Sequence, residues 1–91
     1  MKTFKDLEFN KHPNFPNAKR AIMKFDNGYE VSVITGQWTY TDDNRPYELA
    51  VMNNGVLCYT TPLTSDVLGY LTEEGITTAM KEVQSYKENE F

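Results

Sequence analysis

Two stretches, FDNGYEVSV from Phe25 to Val33 and VMNNGVLCY from Val51 to Tyr59, each set an Asn-Gly pair between strand-forming residues. That arrangement is a strong local hairpin signal, so the chain must accommodate two antiparallel hairpins. In the first, a two-residue turn at Asn27-Gly28 opposes apolar to polar residues. A three-residue loop, Asp26 to Gly28 with Gly28 left-handed, instead sets Phe25 against Tyr29, Met23 against Val31 and Ala21 against Val33. One face is then wholly apolar, and a slip of one residue would turn that stripe to water.

The same rule applied to the second hairpin takes Asn53-Asn54-Gly55 as the loop and pairs Val51 with Leu57, Leu49 with Tyr59 and Met52 with Val56. Tyr47, Leu49, Val51, Leu57 and Tyr59 then form one apolar stripe. Ala50, Met52, Val56 and Cys58 form a smaller one on the reverse, broken by Glu48. A hairpin apolar on both sides belongs at the centre of a sheet or in an interface.

Past Pro62 the alternation gives way to a helical pattern. Thr64 or Ser65 can cap a short turn through Asp66, Val67 and Leu68, after which Gly69 loosens the chain. Thr72 is placed as the N-cap of the main helix, with Glu73 and Glu74 complementing its dipole and Ile76, Ala79, Met80 and Val83 on one stripe. Near the N-terminus, TFKDLEF supports either a helical turn capped by Thr3 or a short extended segment. HPNFPN, residues 12–17, reads as an irregular connection. The expected fold is α+β: a small antiparallel sheet of about four strands, made from the two hairpins, packed against a C-terminal amphipathic helix. All 91 residues form one domain, with an irregular segment 1–17, the hairpins over 18–60 and a helical part over 64–88.

At this length only roughly 60 to 65% of the unfolded chain's surface can be buried. A 40% hydrophobic content still supports a core. Nine basic against thirteen acidic residues give a net charge of -4 and no sequence run of Lys and Arg, which disfavours duplex nucleic acid as a ligand. The single Cys58 excludes an intrachain disulfide. No apolar run reaches membrane-spanning length and no signal peptide opens the chain, so no membrane partner and an intracellular, soluble protein are expected.

Few residues suggest reaction chemistry. His12 lacks the local partners of a metal site or a triad, and Cys58 falls on the smaller face of a strand, where a thiol packs. Asp42 and Asp43 suit a turn better than acid/base work, which needs two different carboxylate environments. Neither Asn-Gly lies between a strand and a helix, so no phosphate-cradling glycine loop is present. The long connection GQWTYTDDNRP is more suggestive. Trp38 and Tyr40 can stack on a base while Arg45 pairs with phosphate, and Thr64 and Asp66 can add hydrogen bonds. The same residue types also anchor protein interfaces, and Trp38 can equally fold back over the sheet edge.

The strings KTFKDLEFNKHP, FDNGYEVSV, YELAV and GVLCYTTPLTSDVLGYLTEE, followed by an amphipathic helix, resemble a group of small, mostly uncharacterised accessory proteins of tailed bacteriophages. The resemblance spans nearly the whole chain except Gly36 to Arg45. It implies expression in the cytoplasm of an infected bacterium, where proteins of this size often antagonise host antiviral defence. The expectation is a non-enzymatic protein without a cofactor that binds and sequesters a small (cyclic) nucleotide signal, as a homo-oligomer whose protomers enclose the ligand. Two alternatives stand beside it: an inhibitor that docks on a host defence protein such as a nuclease, and a small virion or assembly component.

Overall fold

The computed structural model describes residues 1–36, 43–63, 67–88 and 90–91. Six strands and one α-helix form among them: β1 (Asn10–Lys11), β2 (Ala18–Lys24), β3 (Tyr29–Gly36), β4 (Tyr47–Asn53), β5 (Val56–Leu57), β6 (Val67–Leu71) and α1 (Glu73–Gln84). The sheet is antiparallel in the order β1-β2-β3-β4-β5, and β6 also pairs with β4. It is larger than the four strands expected from the hairpins alone.

The first hairpin takes the register that its apolar stripe demands. Met23 pairs with Val31 and Ala21 with Val33. Phe25 N–H donates to the Tyr29 carbonyl at 2.8 Å and Gly28 N–H to the Phe25 carbonyl at 3.0 Å, with Gly28 at φ 90°. Asn27 in this loop has a second task. Its Oδ1 accepts from Tyr29 N–H at 3.1 Å, and its Nδ2 donates to the carbonyls of Val83 and Tyr86 at 2.8 and 2.9 Å, closing the end of α1.

The second hairpin departs from expectation by one residue. Met52 pairs with Leu57 and Asn53 with Val56, leaving Asn54-Gly55 as a two-residue turn with φ of 55° and 78°. Asn tolerates the left-handed region, and the resulting turn has the twist its flanking strands need. Because both faces are apolar here, the pattern lacks the contrast that selects a register. As a result Val56 stands 67% exposed on an edge strand, and Leu57 joins the side of Met52 instead of the core.

Of the helical turn expected through Asp66, Val67 and Leu68, Val67 and Leu68 form strand instead, and Asp66 lies outside the described residues. Val67, Leu68 and Leu71 pair with Ala50, Leu49 and Tyr47. The N-terminal half of β4 would otherwise present an unpaired row of N–H and C=O groups on this side, and an apolar segment able to satisfy them adopts their geometry. β5 and β6 thus lie end to end along one side of β4, and α1 begins at Glu73.

Thr72 caps α1 as its sequence predicts, its hydroxyl accepting from Gly75 N–H at 3.1 Å. Ile76, Ala79, Met80 and Val83 are buried against Tyr29, Val31, Val33, Leu49 and Val51. At the N-terminus the helical alternative prevails, as a 3-10 turn over Phe4–Asp6 in which Asp6 accepts from Thr3 N–H at 2.9 Å. Gln84 holds that segment along the helix, accepting from Lys2 N–H and donating to the Lys2 carbonyl, both at 2.8 Å. The other sheet face carries the cross-strand row Ile22, Ser32, Ala50 and Val67, on the side away from the buried stripe.

Two phenols tie the core to alkaline stability. Burial, reinforced by the Glu82 carboxylate that accepts the Tyr86 hydroxyl at 2.5 Å, pushes Tyr86 well above the ordinary tyrosine range. Burial and then the charge of Glu73 raise Tyr47. Above about pH 10 the unfolded chain therefore releases these protons before the folded one. Urea midpoints should hold level up to about pH 9 and fall as pH rises through about 10. Tyr86→Phe should flatten that fall; an unchanged alkaline limb would contradict the assignment.

Candidate functional site

Arg45 immediately precedes Pro46 and the start of β4, and its guanidinium carbon lies 5.2 Å from the centroid of the Tyr70 ring. Tyr70 reaches that position through a β-bulge. Leu68 pairs with Leu49 and Leu71 with Tyr47, so Gly69 and Tyr70 together oppose Glu48. The bulge leaves Tyr70 48% exposed at φ 56°, in the left-handed region that bulky residues avoid. That conformation costs about 1–2 kcal/mol, whereas a cation-π contact at an exposed site contributes about 0.5–1 kcal/mol. The stack alone does not offset the backbone strain. Strain of this kind concentrates where a side chain is held for use.

The combination of surfaces suits a flat, anionic ligand. An aromatic face accepts a base, and a planar guanidinium presents paired N–H donors to phosphate. Arg45 and Glu48 each make a further interaction within the protein. Asp43 is exposed beside it in the sequence.

Of the five candidate residues named from sequence, Arg45 is placed here, while Trp38, Tyr40, Thr64 and Asp66 lie outside the described residues, as does Asp42. Tyr70 is the residue that sequence reasoning misses. Its one signal is Gly69 inside an apolar, alternating segment, a mark of a bulge that fits equally the loosened end of a helical turn.

Elsewhere, His12 is a structural residue. It is buried, and its Nδ1 accepts from the N–H groups of Asn14 and Phe15 at 3.0 and 3.2 Å. Cys58 is half-buried with its Sγ 3.7 Å from the Thr60 hydroxyl. Among the described residues, no group of His, Cys, Asp and Glu is arranged to hold a metal ion, and no helix is long and apolar enough to cross a membrane.

Fold and platform together define the class: a small α+β domain with a helix on one sheet face and a strained aromatic-guanidinium pair at one edge. Comparison with protein-family models, with curated proteins and with solved structures gives no match.

Proposed function

We propose that the chain is a non-catalytic, phage-encoded binding protein that sequesters a small nucleotide signal of host antiviral defence, with Arg45 and Tyr70 contacting the ligand. The observation carrying this reading is Tyr70, held exposed in a left-handed conformation beneath a guanidinium. Its ring offers the base a stacking face and Arg45 answers the phosphate. The phage setting comes from the sequence resemblance described above.

A second reading draws on a different surface. Val56 and Tyr59 are exposed to 67% and 53% around the outer edge of the sheet, with Leu57 between them. An inhibitor could dock this apolar edge on a host protein.

Substitution separates the two. Arg45→Ala removes a charge-assisted contact and Tyr70→Ala a stacking face, each weakening nucleotide binding by about tenfold or more, with little change in Tm. Isothermal titration of both variants tests this. Unaltered nucleotide affinity in both would contradict the assigned site, whereas loss of a host partner on Val56→Lys would favour the docking reading.

A further inference from the structure

The pairing of β1 with β2 sets Lys11 directly opposite Lys19 and Asn10 opposite Arg20. Directly opposed side chains share a sheet face with their Cβ atoms roughly 5 Å apart, and like charges there repel. Glu8 lines a neighbouring concavity of about 250 Å³ with Asn10, Lys11, Arg20 and Ile22. The wider setting is cationic as well. Residues 1–24 hold six of the nine Lys and Arg but only two of the thirteen Asp and Glu.

A turn with fixed geometry adjoins the lysines. Besides the two bonds to His12 Nδ1, His12 N–H donates to the Ala18 carbonyl at 2.9 Å and Ala18 N–H to the Phe15 carbonyl at 3.2 Å. Pro13 and Pro16 restrict the same turn. The His12 ring lies against Phe15, with centroids 4.7 Å apart, and Phe15 remains 39% exposed. Lys11, Pro16, Asn17, Ala18 and Lys19 together line a concavity of about 380 Å³. Edge strands often carry lysine to keep other chains from pairing, which accounts for Lys11 on β1. It does not account for Lys19 on the inner strand, or for an exposed phenyl ring in the turn that joins the two strands.

We propose that this concavity is a phosphate site for a nucleotide, in which Lys11 and Lys19 converge on one phosphate and Phe15 stacks against the base. A phosphate between the ammonium groups turns their repulsion into two attractions, and base stacking on an aromatic face is tolerant of base identity. The site lies apart from the Arg45–Tyr70 pair in the sequence and stands whether or not that pair binds ligand.

The test is an NMR titration of the full isotope-labelled chain at low salt, with AMP, adenosine and inorganic pyrophosphate as probes and sodium chloride at matched ionic strength as the control. AMP should move the amide signals of Lys11, Phe15 and Lys19; pyrophosphate should move those of the lysines; adenosine and chloride should move neither set. Lys11→Gln and Lys19→Gln should each weaken AMP binding by about tenfold while Tm stays level or rises, because a like-charge contact has been relieved. Arg45→Ala should leave these shifts in place. AMP affinity unchanged in both lysine variants, or equal shifts from chloride, overturns the site. AMP shifts abolished by Arg45→Ala and untouched by either lysine variant would assign the phosphate to Arg45, overturning this site and leaving the proposed platform standing.

Discussion

Replacing Tyr29 with Ala should lower the stability of the domain by about 3–5 kcal/mol. Tyr29 is fully buried beneath α1, packs edge-on against Tyr86 at 5.5 Å, and its removal empties the space between sheet and helix end. Its hydroxyl also accepts from Phe91 N–H at 2.7 Å and lies 3.2 Å from the Phe91 carbonyl. At about 0.05–0.15 kcal/mol per residue, a chain of this length has roughly 5–14 kcal/mol in all, so the substitution removes a large part of it. Tyr29→Phe keeps the ring and loses the hydroxyl contacts, a change of about 1 kcal/mol. Urea denaturation of the two variants separates packing from hydrogen bonding. A loss below about 1 kcal/mol for Tyr29→Ala would show that Tyr29 is not the packing centre between sheet and helix.

Gly36→Ala should cost about 2–4 kcal/mol for a different reason. Gly36 closes β3 opposite Ala18 at φ 123°, a conformation that L side chains rarely adopt. An added Cβ would collide with the Asn17 carbonyl oxygen and sit 2.7 Å from the Ala18 Cα, both backbone atoms. Relief requires a shift of the 12–17 turn or of the end of β3. Gly28 makes the informative comparison, because it also has positive φ, yet a Cβ added there would meet nothing within 4 Å. Gly28→Ala should therefore carry the backbone strain without the collision, and destabilise less. Equal losses at the two positions would contradict the close approach at Gly36.

The elements that can be read from sequence share one property: a strong contrast between apolar and polar positions. β2 and β3 alternate around Met23, Val31 and Val33, and α1 repeats Ile76, Met80 and Val83 at helical spacing, so register and buried face follow from pattern alone. Where contrast is weak, local geometry or long-range pairing decides. The second hairpin, apolar on both sides, obeys its Asn54-Gly55 turn. β6 takes its form from the open side of β4, which no window around Val67 contains. The candidate site is legible in the same uneven way. Arg45 can be named because its residue type carries chemistry, whereas Tyr70 becomes notable only through a bulge. Lys11 and Lys19 are eight positions apart in sequence, and their juxtaposition exists only once β1 pairs with β2.

Sequestration of a nucleotide signal, by a protein that does not transform it, is the central functional claim. The Arg45–Tyr70 pair supports it by joining a stacking ring to a phosphate-binding group, and the edge around Val56 and Tyr59 supplies the competing surface. Calorimetric titration of the purified protein with cyclic dinucleotides, cyclic trinucleotides and ADP-ribose derivatives tests the claim most directly. Saturable binding of one class is expected, with the ligand recovered chemically unchanged. Silence across the whole panel, or recovery of a cleaved product, would contradict it.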